Sequence, residues 1–350
     1  MRRRNYASIC FLALFLFLMA SPLSHAQGAQ NSGNGGLTNL EDGQPPVVVH
    51  ATVEMMKKPN NGNAYGNSGG NPNGNSNGNS NRFGGGNANQ LSYHGGIGGV
   101  GVETAPKIYL VFWGSQWSND PSGEASILTS FYTGVGSSSW LASVTQYCQG
   151  VARGTVSCNG AGTPAGNPPG LLIASWYDNA TAAPSKPTQS QLAAEAIRAA
   201  GYFGNTNGSS NANAQYVIAT AHGNNASGFG SQYCAWHSGT GSSYGNIAYT
   251  NLPYMTDAGA SCGANFNGLG PNAGITIVSG HEMAETISDP LPNYGWLDGQ
   301  GAENGDKCAW ISSGQGASAA ITLSTGTFAV QSLWSNAANG GAGGCVITFP

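Results

Sequence analysis

The run from Ser279 to Pro290 contains the side chains of this chain that are best suited to chemistry. Only 7% of all residues are charged, yet six of the fifteen acidic residues fall between Glu282 and Asp306, where the nearest basic residue is Lys307. Carboxylates crowded together without a base disfavour one another's ionised form, so a bound cation would stabilise the segment. The six are Glu282, Glu285, Asp289, Asp298, Glu303 and Asp306.

The spacing of His281 and Glu285 suits a metal site. Apolar residues at helical spacing predict a helix over 274–287, which Asp289-Pro290 ends because a residue before proline avoids the α conformation. Residues four apart lie on one face of a helix, so His281 and Glu285 point together. This is the spacing of the zinc motif His-Glu-x-x-His, with Glu in place of the second His.

The remaining roles at such a site are assigned by position. Glu282, next to His281, would lie beside the metal as the general base for a bound water. A third ligand is expected from the Gly-rich loop 301–308, which can fold back on the helix. We prefer Glu303 for this role, with Asp306 as the close alternative.

Other side chains offer competing or accessory roles. Calcium takes oxygen ligands, and the downstream acids supply them, although their spacing does not match an EF-hand loop. His222 closes a predicted strand and His237 lies in the predicted loop after it, so either could act as a ligand or a transition-state donor. Asp289 is expected to cap or brace the loop after the helix, with Asp298 as a further accessory acid.

The order of the predicted elements indicates an α/β fold. Apolar runs predict strands, and helices are expected at 124–132 and at 188–200, where Thr188 and Gln191 form a capping-box pattern. A further strand over 247–255 contains Pro253, which favours an edge position. The other strands are predicted at 107–114, 171–177 and 215–223.

An edge strand, a Cys/Gly-rich loop and then a metal helix follow one another as in zinc peptidases of the zincin type. We therefore expect a zincin-like mixed sheet with an antiparallel edge strand. Strand-like runs near the C-terminus add a small β-rich cap, at 320–323, 327–330 and 345–349.

The chain is predicted to have four segments. Residues 1–26 have the basic start, short apolar run and small-residue end of a secretory signal peptide. Residues 27–58 are interpreted as a propeptide or tail, with a strand added to the main domain as the alternative. Residues 59–92 are rich in Asn, Gly and Ser and predict a flexible linker. Residues 93–350, about 258 by subtraction, are enough for one globular domain.

Bulk properties restrict the partners. Removing the three arginines at positions 2–4 leaves eight basic against fifteen acidic residues, a net charge of −7, which argues against nucleic acid. No later run approaches the roughly 20 apolar residues of a membrane helix, so a soluble, exported protein without membrane insertion is expected. Six cysteines remain, and an oxidising compartment favours up to three disulfides. Among fifteen pairings, Cys148 with Cys158 and Cys308 with Cys345 are the ones the sequence suggests.

Several of these segments resemble the Exordium/phosphate-induced protein family of plants and its secreted bacterial relatives. They occur in the family's order and cover most of residues 105–310, and the metal helix together with Glu-x-Gly-Asp-x-Cys is the specific pair. The resemblance implies an extracellular or cell-wall-associated protein with a zincin-like metal helix. Some family members lack the His-Glu pair, so the scaffold can serve without catalysis. The matching segments are 108–114, 216–220, 234–237, 279–290, 296–298 and 303–308.

Together these features predict a secreted zinc-dependent hydrolase, a metallopeptidase acting on a peptide or protein. Zinc would be held by His281, Glu285 and Glu303, and Glu282 would carry the proton to the leaving amine. The alternative is a non-catalytic extracellular interaction protein, with a cell-wall or other extracellular partner and a structural zinc or calcium ion.

Overall fold

A computed structural model of the chain describes residues 54–57, 89–180 and 182–349. The predicted signal peptide and most of the segments 27–58 and 59–92 lie outside these residues. The strands are β1 (Glu54–Lys57), β2 (Ser92–Tyr93), β3 (Lys107–Trp113), β4 (Cys148–Gln149), β5 (Thr163–Pro164), β6 (Leu172–Asp178), β7 (Ala214–Thr220), β8 (Tyr233–Ser242), β9 (Gly245–Leu252), β10 (Trp296–Leu297), β11 (Ala319–Leu323), β12 (Gly326–Val330), β13 (Leu333–Ser335) and β14 (Gly344–Val346). The α-helices are α1 (Glu124–Gly134), α2 (Gln189–Tyr202), α3 (Gly208–Asn211), α4 (Ala273–Ser288) and α5 (Ala338–Gly341). Short 3₁₀ helices lie at Ser115–Ser118, Leu141–Gln146, Met255–Cys262, Phe266–Gly268 and Asp306–Cys308.

The main sheet is mixed and has the strand order β1-β8-β9-β7-β3-β6. Strands β9, β7, β3 and β6 are parallel to one another. Strand β8 is antiparallel to β9, and the short β1 is antiparallel to β8. The expected α/β class is confirmed, and the antiparallel strands lie at one side of the sheet.

Helices cover both faces of this sheet. Side chains of a strand alternate between faces, so Ile108 and Phe112 of β3 enter the core shared with α1 and α4, whereas Tyr109 and Val111 enter the core shared with α2. This explains the continuous apolar run of β3, because each face of the strand is buried. The capping box predicted at Thr188 is present, with its hydroxyl accepting from the Gln191 N–H.

Two predictions about strands near the site are wrong. β9 lies inside the sheet between β7 and β8, and not at an edge. Its last residue is Leu252, so Pro253 follows the strand and removes no hydrogen bond from it. The segment from Cys234 to His237 is part of β8 and not of a loop. The alternation of β8 was obscured by Gly239 and Gly241, which continue the strand as far as the hairpin to β9.

Helix α4 lies at the centre of one layer, and every residue from Ala273 to Ser288 is buried. It packs on β8 and α1, and also on β12. Strand β12 pairs with β11, and β13 pairs with β14, which confirms the β-rich C-terminal cap. The cap therefore closes the side of α4 that the sheet leaves open.

Three disulfides join Cys148 to Cys158, Cys234 to Cys262 and Cys308 to Cys345. Both pairings suggested by the sequence are confirmed. Three bridges fit an extracellular protein, since disulfides persist in oxidising compartments. Across residues 54–57, 89–180 and 182–349, no helix has the length and apolar character required to cross a bilayer.

The disulfides allow a paired test of how the loop at 303–308 is held. Replacing Cys308 and Cys345 by serine removes a disulfide whose cysteines are 37 residues apart in the sequence. Replacing Cys148 and Cys158 by serine removes one whose cysteines are 10 residues apart. Loop entropy predicts losses of roughly 4 and roughly 3 kcal/mol in the free energy of unfolding, respectively. Only the first pair anchors the loop that contains Glu303. We therefore expect denaturant unfolding to show both losses, and metal titration to show weaker binding for the first variant alone.

Candidate metal centre

Five ionisable side chains from three segments meet beside α4. His237 comes from β8, His281, Glu282 and Glu285 come from α4, and Glu303 comes from the loop after β10. None of the five exposes more than 1% of its surface. Two overlapping sets have ligand atoms within 4.8 Å of one another and could hold a metal ion: His237, Glu285 and Glu303, and His281, Glu282 and Glu285. Glu285 belongs to both sets.

His281 is oriented by a glutamine from the cap. Gln331 donates through Nε2 to the carbonyls of Gly305 and Ser332, at 2.7 and 3.2 Å. Its Oε1 therefore faces His281 Nδ1, 3.2 Å away, and an acceptor there requires the proton to be on Nδ1. In the neutral imidazole this leaves the lone pair on Nε2.

The Nε2 atom of His281 lies 3.0 Å from Glu285 Oε1. Despite this short distance the ring nitrogen forms no hydrogen bond within the described residues, because with the proton on Nδ1 it has no N–H to donate to that oxygen. Both atoms are electron-rich and buried. Two side chains that bind the same metal ion place their ligand atoms in this arrangement.

His237 repeats the pattern on the other side of Glu285. Its Nδ1 donates to Glu282 Oε2 at 3.3 Å, and its Nε2 lies 3.6 Å from Glu303 Oε2. The Nε2 atom forms no hydrogen bond within the described residues. A metal-bound histidine typically donates its other ring N–H to a carboxylate or carbonyl oxygen, which fixes the tautomer. Both histidines meet this requirement.

This set of residues fits a metal ion. Buried ring nitrogens without hydrogen bonds, each beside a carboxylate oxygen, need a cation or a proton to offset the burial. Imidazole nitrogen with carboxylate oxygen is a ligand mixture that suits zinc, whereas calcium prefers oxygen alone. The structure thus shows buried His and Glu groups that could hold a metal ion.

The Gly-rich loop folds back on α4, as the sequence predicts. The N–H of Asp306 donates to Glu285 Oε1 at 2.8 Å. Asn304 donates to the carbonyl of Ala284 and to Ser288 Oγ, at 3.0 and 2.6 Å. Asp306 Oδ1 is 3.9 Å from His281 Nε2, and its side chain is 24% exposed, so the cluster reaches solvent at this residue.

Close backbone approach explains the glycine at position 305. A Cβ atom there would lie 2.7 Å from His281 Nδ1 and 2.8 Å from Glu285 Oε1, both shorter than real Cβ contacts. The backbone of Gly305 is helical, with φ −78° and ψ −46°, so only the space is restrictive. Glycine at this position therefore lets the backbone of the loop pack directly against His281 and Glu285.

The accessory acids brace loops. Asp289 is buried and accepts from the N–H groups of Asn293, Tyr294 and Gly295. Burial raises the pKa of Asp289 to about 7, although His237 and these hydrogen bonds act in the opposite direction. Its expected capping role is confirmed. Asp298 forms an ion pair with Lys307 at 2.7 Å.

His222 lies apart from this cluster. Its side chain is 45% exposed, and Nδ1 lies 2.5 Å from Asp257 Oδ1. The Asp257 carboxylate is held in turn by the Gly223 N–H and by Asn225. Among the described residues it belongs to neither metal-binding set.

The sequence gives no indication of Gln331, and it indicates His237 only as a possible ligand or donor. Gln331 lies 50 residues beyond His281, and an isolated glutamine between two short strands has no local signal. His237 was placed in a loop, so its direction could not be predicted. If β8 is recognised as a strand antiparallel to β9, the alternation of its side chains predicts that His237 faces α4.

Comparison of the chain with protein-family models, with curated proteins and with solved structures finds no match. The resemblance to the Exordium family stays a prediction.

Gly305→Ala tests the close approach of the loop. We expect metal affinity to fall by roughly 10- to 100-fold, as for other losses of supporting contacts, because the added Cβ pushes the loop from both ligands. Gly299→Ala is the matched control, since a Cβ at that position meets nothing within 4 Å. Metal titration in competition with a chromophoric chelator measures both. Equal affinities of the two variants would contradict the proposed packing.

Gln331→Leu tests the orientation of His281. Loss of the acceptor at Nδ1 should free the ring tautomer and weaken metal binding by roughly 10- to 100-fold. Gln116→Leu serves as control, because Gln116 also donates to a backbone carbonyl, that of Ala183, and no hydrogen bond among the described residues joins it to His237, His281 or Glu285. Nitrogen NMR of the imidazole reports the tautomer directly. An Nδ1–H tautomer retained without Gln331 would show that the glutamine does not set it.

Proposed function

We propose that this protein is a zinc-dependent hydrolase acting on peptides. One observation carries the proposal: the Nε2 atoms of His281 and His237 are buried, form no hydrogen bond with any described residue, and lie beside Glu285 and Glu303, respectively. That arrangement is typical of ligands for a metal ion. The proposed ligands are His281, Glu285 and Glu303, which come from the two sets that share Glu285, with His237 as a further ligand or as a donor.

The proposed hydrolysis assigns a separate chemical role to the metal, to Glu282 and to His237. When bound, zinc would supply a Lewis acid that lowers the pKa of water to about 7 and polarises a carbonyl. Glu282 would accept the proton of the attacking water and return it to the leaving amine. Its Oε2 accepts from His237 Nδ1, which holds the carboxylate at the cluster. To act as a donor, His237 would carry protons on both ring nitrogens, so that Nδ1 holds Glu282 and the Nε2–H stabilises negative charge developing on the substrate oxygen.

The wider fold is consistent with this proposal. A mixed sheet carries an antiparallel strand beside the metal helix, which supports a zincin-like fold as part of the proposal. Three disulfides agree with a secreted enzyme that works outside the cell. The resemblance of residues 279–290 and 303–308 to the secreted Exordium relatives points the same way.

A second candidate is a non-catalytic protein with a structural metal. The observation that favours it is burial, since His237, His281, Glu282 and Glu303 are 0% exposed. Structural zinc sites are closed, whereas catalytic ones keep a position for water. In this candidate Glu282 only orients His237, and an extracellular partner would bind elsewhere on the surface.

Glu282→Gln separates the two candidates. Glutamine keeps an acceptor oxygen for His237 Nδ1 but cannot take up a proton. We expect zinc content and melting temperature to stay unchanged, while hydrolysis of an unstructured peptide library falls by roughly 10²- to 10⁴-fold. Elemental analysis, thermal unfolding and mass spectrometry of the peptides measure the three quantities.

Glu285→Gln is the comparison for metal binding. Because Glu285 belongs to both sets, its variant should lose the metal and the stability that the metal confers. Peptide hydrolysis that survives Glu282→Gln would exclude Glu282 as the base. Zinc that stabilises the fold without any hydrolysis would favour the structural candidate.

A further inference from the structure

The N-terminal strand β1 lies against the metal centre. It pairs antiparallel with β8, and Glu54 stands opposite His237. Cα atoms of opposed residues in such a pair are about 5 Å apart, so the backbone at position 54 passes next to the backbone of a metal-centre residue. Strand β1 also contacts α4, which carries His281 and Glu285.

The edge that β1 covers is suited to an extended peptide. Without β1, one side of β8 would present backbone N–H and C=O groups with no neighbouring strand, and extended peptides bind such edges by main-chain hydrogen bonds. The residues of β8 from Tyr233 to Gly239 are buried with β1 in place. A peptide bound in the same way would lie along the metal centre.

The attachment of β1 is short. Four residues pair with β8, and the register shifts between Met56 and Lys57. The next described residue is Asn89, and the 31 residues at 58–88 are mostly Asn, Gly and Ser. A strand of four residues is below the usual length of about five to six, so covalent linkage supplies much of its binding through effective concentration.

We propose that residues 54–57 act as an internal, substrate-like strand that blocks the peptide-binding edge of β8. This rests on the proposed peptidase function and names both its substrate class, extended polypeptide, and its regulation. Hydrolysis of one peptide bond by water within 58–88 converts the linked strand into a separate fragment. Linkage through a short flexible segment typically corresponds to a millimolar effective concentration, whereas a separate fragment at micromolar protein is roughly 10³-fold more dilute and therefore occupies the edge less.

The experiment uses the full mature chain with a recognition site for a sequence-specific protease inserted between Gly70 and Asn71. Cut and uncut protein are compared for binding of a labelled peptide with the sequence of residues 50–60, for zinc release to a chelator, and for hydrolysis of a peptide library. After cutting we expect the labelled peptide to bind, and zinc release and hydrolysis to accelerate at least about tenfold, since the edge is exposed.

A second variant covers the case in which the cut fragment stays bound. Successive N–H groups of a strand point to opposite sides, so Met55→Pro with Met56→Pro removes one donor to β8 in the uncut chain. It should bind the labelled peptide as the cut chain does. Asn75→Pro with Ser76→Pro, outside β1, should behave as the parent.

The outcomes separate this inference from the proposed function. Peptide binding and faster zinc release without hydrolysis would support the blocking strand and refute the peptidase. Equal hydrolysis before and after removal of the strand would support the peptidase and overturn the blocking role. Failure of the labelled peptide to bind either the cut chain or the proline variant would also overturn it. The Glu282→Gln comparison is repeated on the cut chain, because a blocked enzyme has a low rate.

Discussion

The stability of the structure depends on how it offsets the cost of burying three ionisable side chains on α4, a helix that is buried on every side. An ionised carboxylate taken out of water loses several kcal/mol of hydration, which neighbouring groups must offset. Three elements packed around α4 each supply one partner for this purpose. β8 brings His237, the loop brings the Asp306 N–H to Glu285, and the cap brings Gln331 to His281.

Buried acids elsewhere are handled differently. Glu124 accepts from the N–H of Met255 with both oxygens, and burial raises its pKa to about 8. A protonated carboxyl group that accepts hydrogen bonds from a backbone N–H can be buried without a charged partner. At α4 the acids instead face histidine nitrogens, so proton and metal compete for the same positions. Metal binding at this site is therefore expected to depend on pH.

Local chemistry explains what could be predicted from the sequence. The period of α4, the cap at Thr188, the apolar run of β3 and the pairing of Cys148 with Cys158 are encoded by near neighbours, and the structure confirms them. The position of β9 depends on which strands lie beside it, which residues 247–255 do not encode. The role of Gln331 likewise depends on how the C-terminal cap packs on α4, because Gln331 lies 50 residues beyond His281 in the sequence. Prediction succeeded for the helix that carries the ligands and was weaker for the partners that come from far along the chain.

The pairing of β1 with β8 has a consequence for how the protein comes into being. A ribosome makes the chain from its N-terminus, so Glu54 exists 183 residues before His237, its partner in the sheet. When β8 and α4 finally collapse together, the strand that will lie on their open side is already present and attached. The newly made centre thus need not pass through a stage with a bare sheet edge, which protects the nascent chain from pairing with its neighbours during folding.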